Sequence, residues 1–271
     1  MIFDLHNDLI TSELTLAEKR RYLTDTVPNL KGLVVVYWMT RQKCFPRKEK
    51  LKKMKNLYCA IEDLGYIQDT DYEALRLFEP LYCSLTWNED NRLAGGADGV
   101  GSVTPAGREV IGKLNEYGIG VDTAHLNRTS FYEVADRGEK LLNSHTCLDC
   151  IFPHPRNITD RQIKLIIEKG GIVGLTLVSG FMAKTAADAN DYFMQIDTFV
   201  SKFGIDNLAI GTDFFGTDNL PEGLKNYYDF LALEYTLLNA GYKTADINRI
   251  FFENALRFFG LQAKKNRAAK A

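Results

Sequence analysis

Short apolar runs recur along the chain, each closed by a turn and followed by a segment with helical spacing. The clearest is Gly32–Trp38 (GLVVVYW), a nearly unbroken β-branched stretch of the kind expected for a strand buried on both faces. Shorter runs fall at 2–5, 57–61, 81–86, 119–122, 141–145, 172–178 and 208–211. Between them the apolar spacing predicts helices at 16–22, 71–78, 104–117, 127–137, 160–169 and 186–203, and two more, 227–240 and 244–259, close the chain. Boundary residues agree. Thr104 can cap a helix with Pro105 at its first position, Thr159 can cap the next but one, and Gly118 and Gly170-Gly171 stand where helices should stop. The basic run 47–55 interleaves Leu51 and Met54 and reads as one exposed helix face. The glycine-rich piece 95–101 lacks the lysine and the helix of a phosphate loop and reads as a turn.

Eight strands alternating with helices, with no internal linker, predict a (β/α)8 TIM barrel as a single domain over residues 1–260. Residues 261–271, rich in Lys, Arg and Ala, read as a frayed C-terminal tail. A chain of 271 residues is long enough for one such core.

Charge changes the picture only by exclusion. With 33 basic and 35 acidic residues the formal charge is −2, so no global field favours nucleic acid or a membrane surface. No apolar run reaches spanning length, and Met1-Ile2-Phe3-Asp4-Leu5-His6 has no leader pattern. Five cysteines, an odd number at scattered positions, point to a reducing compartment and a cytoplasmic location. Cys147 and Cys150 form a lone CxxC beside His145, too little for a structural zinc site, which leaves a redox or metal role, or a place on the site's rim, open.

The chemistry gathers at predicted strand ends. Residues 119–157 hold three of the four histidines. One βα unit separates His125 from His145, so in a parallel sheet both emerge at the same carboxyl edge. His6 and Asp8, two apart on an extended chain, can reach one ion. Glu62 ends an apolar run, where a carboxylate needs a partner or a metal. Asp213 follows the last strand. Six metal-type or acid–base residues at the carboxyl ends of barrel strands mark the expected site.

In order along the chain, His6-Asn7-Asp8, Glu62, Thr104-Pro105-Ala106-Gly107, Asp122-Thr123-Ala124-His125, Ser144-His145, Arg156-Asn157, Gly211-Thr212-Asp213-Phe214 and the closing Glu253-Asn254-Ala255-Leu256-Arg257-Phe258 resemble the renal (membrane) dipeptidase family of the amidohydrolase superfamily. The resemblance implies a zinc-dependent metallo-dipeptidase, a peptidase cleaving the amide of small dipeptides. It implies two Zn2+ per chain, one held by His6 and Asp8, the other by His125 and His145, with Glu62 bridging. Such a pair lowers the pKa of a bridging water to give hydroxide near neutral pH. Asp213 would take that water's proton and pass it to the leaving amine. Arg156 would grip the substrate's terminal carboxylate, with Trp87 and Asn88 as further substrate contacts. His154 is not among the family's ligands and reads as a loop-structural residue. The family often dimerises, which makes a homodimer an expectation.

The sequence departs from the family pattern in three places. Trp87 stands where well-known members carry a histidine on the scissile carbonyl, and an indole donates one hydrogen bond but carries no proton. Phe215 replaces an acid two residues after Asp213. The chain is also short between the first and fourth strands. These departures leave two other readings open: metal-dependent hydrolysis of another small amide or a lactone, and a non-catalytic ligand-binding relative.

Overall fold

In a computed structural model, eight parallel strands pair in chain order and close on themselves, β8 returning to β1 through Asp4 and Ile210. Residues 1–42 and 54–261 are described, Arg41 and Gln42 by their backbone alone. The strands are β1 (Phe3–Asn7), β2 (Gly32–Trp38), β3 (Leu57–Glu62), β4 (Tyr82–Ser84), β5 (Gly120–Asp122), β6 (Leu141–Thr146), β7 (Ile172–Leu175) and β8 (Leu208–Ile210). The helices between them are α1 (Leu16–Thr26), α2 (Met39–Gln42), α3 (Tyr72–Phe78), α4 (Pro105–Glu116), α5 (Arg128–Arg137), α6 (Asp160–Glu168) and α7 (Ala189–Phe203). After β8 come α8 (Phe230–Asn239), α9 (Thr244–Asn248) and α10 (Asn254–Phe258). This is the (β/α)8 barrel expected. Most of the basic run 47–55 and nearly all of the 261–271 tail lie outside the described residues. Among those described, no helix is long and apolar enough to cross a membrane.

The barrel interior is filled by alternate strand residues, Phe3 and Leu5, Val34 and Val36, Ala60, Tyr82, Leu142, Ile172 and Ala209. Phe259 closes its amino-terminal end, its ring 6.2 Å from Phe3 and 6.5 Å from Tyr82. That plug leaves the carboxyl ends of the strands as the open mouth.

The structure corrects several element boundaries. α1 runs a turn further than the expected 16–22. A Thr15–Glu18 capping box starts it, and a 3-10 turn, Val27–Asn29, with Pro28 inside it, follows. α7 begins after Asp188, not at 186, because the Asp188 carboxylate accepts the Asn190 and Asp191 amides. The helix expected over 244–259 is interrupted by a π turn, Arg249–Glu253, and buried Asn254 beyond it donates to the Ile205 and Leu208 carbonyls. β7 stops at Leu175, short of 178, and β1 runs on through His6 to Asn7.

Three strands are pressed together under the mouth. A Cβ on Gly174 would lie 2.1 Å from the Ser144 carbonyl oxygen, and one on Gly211 would lie 1.9 Å from it. No rotamer change relieves a clash with backbone, so β6 or β8 would have to move. Gly211→Ala is expected to cost about 2–4 kcal/mol, read as a lower urea midpoint. An unchanged midpoint would show that β6 and β8 separate freely.

Candidate metal centre and active site

Local irregularities deliver the histidines. Phe3 and Leu5 face the barrel interior, so strict alternation would turn His6 outward. The β1–β2 register shifts between Asp4 and Asn7, and His6 turns into the mouth. The same happens on β6. Leu142 faces inward, the register to β7 shifts between Asn143 and Thr146, and both Ser144 and His145 reach the site. On β3 the alternation is regular: Tyr58 and Ala60 face inward, and Glu62 follows two residues on. His125 and Asp213 lie just past β5 and β8 with φ of 66° and 62°, left-handed conformations costly for side chains of this kind and concentrated where function is.

The six strand-end residues converge. His6 Nε2 lies 3.3 Å from Asp8 Oδ2, 3.8 Å from Glu62 Oε1 and 4.0 Å from Asp213 Oδ1. His125 Nε2 lies 2.9 Å from Glu62 Oε1 and 2.9 Å from His145 Nε2. Two clusters of metal-type ligand atoms share Glu62, one with His6 and Asp8, the other with His125 and His145. A third joins His6, His145 and Asp213.

The tautomers are fixed from outside. His125 Nδ1–H donates to Asn88 Oδ1 at 2.7 Å. Ser144 Oγ donates to Asp122 at 2.5 Å, so it accepts from His145 Nδ1 at 2.8 Å. Tyr82 OH donates to the Leu5 carbonyl, so it accepts from His6 Nδ1 at 3.1 Å. Each imidazole then turns its Nε2 inward, as a lone pair on His125 and His145 and, where no cation displaces the proton, as an N–H toward Asp8 on His6. Lone pairs facing one another at such distances repel unless a cation or proton lies between them. Glu62 Oε1 is buried and accepts no hydrogen bond among the described residues. Imidazole nitrogens and carboxylate oxygens suit zinc, and this orphaned oxygen among inward lone pairs fits a bound cation.

Electrostatics point the same way. Burial opposes a proton on His6, but Asp8, then Glu62 and Asp213, outweigh it and push its pKa up to about 10. Burial, helped by Arg156, holds His125 well below the usual imidazole value. Burial pushes Glu62 up to about 7. Burial and the Asp8 carboxylate raise Asp213 well above the ordinary range. Positive charge is favoured near the carboxylates, and the other imidazoles stay neutral.

Arg156 is buried beside this centre. Its Nη2 donates to His145 Nε2 at 2.8 Å, its guanidinium lies 5.5 Å from the Phe181 ring, and its Nε–H has no acceptor. His154 accepts the Arg156 backbone amide on Nδ1 at 3.1 Å and lies 4.6 Å from Phe181, which is a loop-bracing role. Trp87 sits 6.0 Å from the His125 ring. Asn88, expected against substrate, has its amide oxygen on His125. Cys147 is buried with its thiol on the Thr176 carbonyl while Cys150 is exposed, and neither joins a metal-type cluster among the described residues. Phe215, in place of an acid, packs edge-on against Tyr22 at 4.9 Å.

Sequence reasoning missed the supports. Asp4 is fully buried and accepts from His6 N, from Thr212 N and Oγ1, and from Tyr227 OH. It ties the start of the His6-Asn7-Asp8 turn to the residue before Asp213. Its only sequence signal was a charge inside a strand run. Asp63 fixes Glu62 in the same way: its backbone amide donates to Ser84, and its carboxylate accepts from Thr40, Gly65 and Asn91. Tyr82 gave no signal, since a tyrosine in an apolar run reads as core.

Comparison with known proteins adds a family. The sequence profile described as membrane dipeptidase (peptidase family M19) matches residues 35–271. An uncharacterised protein of the pqqA 5′ region of Klebsiella pneumoniae is 29% identical over 185 residues, covering 63% of this chain and 68% of that protein. An uncharacterised dipeptidase of Schizosaccharomyces pombe is 26% identical, covering 65% of this chain but only 45% of its own length. A crystal structure of a metallopeptidase from Rhodobacter sphaeroides, liganded with a phosphinate mimic of the dipeptide L-Ala-D-Ala, superposes with a TM-score of 0.81 at 19% identity, covering 96% of this chain and 98% of that one. At that identity the likeness speaks for the fold.

Proposed function

Because the chain belongs to the membrane dipeptidase family, we propose that it is a zinc-dependent hydrolase cleaving the amide bond of small dipeptides at a two-metal centre. The observation that carries this reading is Glu62 Oε1, buried without a hydrogen bond between two ligand clusters that share it. His6 and Asp8 would hold one ion, His125 and His145 the other, with Glu62 common to both. When bound, the metal pair polarises the amide carbonyl and acidifies water.

The chain's own groups do the rest. Asp213, its proton affinity raised by burial and by Asp8, accepts a proton from the attacking water and returns it to the leaving amine. Arg156 offers a buried Nε–H, unpaired among the described residues, to the substrate's terminal carboxylate. Asn88, Ser144 and Tyr82 hold the imidazoles in one tautomer. Trp87 lines the side where the family's histidine is missing. That departure favours a second reading, hydrolysis of another small amide or a lactone at the same centre, which a mixed substrate panel separates from the first.

The test joins metal analysis to turnover. Purified protein should carry close to two zinc ions per chain and hydrolyse dipeptides such as L-Ala-D-Ala. Well under one zinc, with no activity on adding it, would overturn the reading. Arg156→Lys should raise KM at least about tenfold for dipeptides with a free carboxylate, since an ammonium cannot make the fork. KM for C-terminally amidated analogues should stay near its wild-type value. An equal effect on both would remove the carboxylate contact.

A further inference from the structure

Trp38 is the last residue of β2 and the register partner of Glu62. Val34 and Val36 face the barrel interior, so alternation puts Trp38 on that same face, at the mouth. Its ring centroid lies 5.1 Å from that of Trp87, tilted by 45°, and Trp87 lies 6.0 Å from His125. Trp38 Nε1 is buried without an acceptor among the described residues. The two indoles make a continuous aromatic wall along the β2–β4 arc of the mouth, beside Glu62.

The polar groups assigned above to the substrate's C-terminal half lie on another arc. Arg156 follows β6 and Asp213 follows β8. With its carboxylate on Arg156 and its amide nitrogen near Asp213, the C-terminal residue fills the β6–β8 side. The scissile carbonyl then lies over the central cluster, and the N-terminal residue continues toward the β2–β4 side.

We propose that Trp38 and Trp87 form the subsite for the side chain of the substrate's N-terminal residue and select dipeptides in which that residue is apolar or aromatic. The proposal rests on the dipeptidase reading. Two indole faces reward each methylene that leaves water, and one methylene in such a pocket is worth about 10-fold or more in kcat/KM. An acidic side chain there would lose its hydration next to the Glu62 carboxylate.

The zinc-loaded protein would be assayed with Leu-D-Ala, Phe-D-Ala, Gly-D-Ala and Asp-D-Ala. The first two should exceed the last two by about 30-fold or more in kcat/KM. Trp38→Ala and Trp87→Ala should each shrink that ratio below about threefold, while the ratio of Leu-D-Ala to Leu-Gly, which varies the other half, stays at its wild-type value. A second readout needs no turnover. Trp38 and Trp87 are the chain's two tryptophans. Fluorescence excited at the red edge, where tyrosine does not absorb, therefore reports this wall alone, and in the Asp213→Asn protein Leu-D-Ala should change it saturably at concentrations at least tenfold below those needed for Gly-D-Ala. Cleavage of all four dipeptides at similar rates, or loss of both ratios together, overturns the subsite and leaves the dipeptidase reading standing. Saturable, apolar-selective fluorescence changes without cleavage of any dipeptide support the subsite and overturn the dipeptidase reading.

Discussion

Asp213→Asn is expected to lower kcat by about 10³-fold or more with little change in KM, because the amide keeps the shape and loses the proton-accepting function. The position is built for a proton. Burial and the neighbouring Asp8 carboxylate raise Asp213 well above the usual carboxyl range, so the group takes a proton more readily than an ordinary carboxylate. Its backbone is held in place independently of its side chain, by the Asp213 amide on the His6 carbonyl at 3.0 Å and by Thr212 on Asp4. The variant should therefore fold. It should also melt no lower than the parent, since removing one of two adjacent buried carboxylates relieves repulsion. Steady-state rates on a dipeptide, zinc content and thermal melting would be measured side by side. A kcat within threefold of the parent would take Asp213 out of the mechanism.

How far the sequence disclosed this site depends on which physical signal each residue leaves. The barrel was legible because apolar runs and helical spacing alternate eight times, and TIM-barrel chemistry sits at strand ends. His125, Glu62 and Asp213 could be placed by that rule alone. His6 and His145 were expected at the mouth, but the reason they reach it was not visible. Each depends on a register irregularity that breaks alternation, at Asp4/Asn7 and at Asn143/Thr146, and such irregularities have no residue signature. Asp4 and Tyr227 are 223 positions apart, and only closure of β8 onto β1 brings them together. The Trp38–Trp87 wall was hidden for a similar reason. Trp38 ended an apolar run that read as buried core, and its place beside Glu62 comes from the β2–β3 register.

Glu62→Gln should separate function from stability with opposite signs. For function, the amide keeps one acceptor oxygen but loses the negative charge that both ligand clusters share. Zinc content should fall from near two per chain to one or fewer, and kcat by about 10³-fold or more. For the metal-free protein the sign reverses. Burial pushes the Glu62 pKa up to about 7 from its ordinary 4.5. Below pH 4.5 both folded and unfolded chains hold this proton, and Glu62 costs nothing. Between 4.5 and 7 the unfolded chain has released it and the folded chain has not, so stability falls as pH rises. Above 7 the full cost of the buried charge, only partly offset by His6 and Arg156, is present. Gln carries no such cost, so at pH 8 the metal-free variant should melt roughly 5 °C above the metal-free parent, and at pH 4.5 the two should nearly coincide. Adding zinc should reverse the order at pH 8, because only the parent gains the full binding energy of the pair. A variant that keeps two zinc ions and its activity would show that Glu62 is not shared between them. A metal-free variant that melts below its parent at pH 8 would show that the orphaned oxygen is not a strain on the fold.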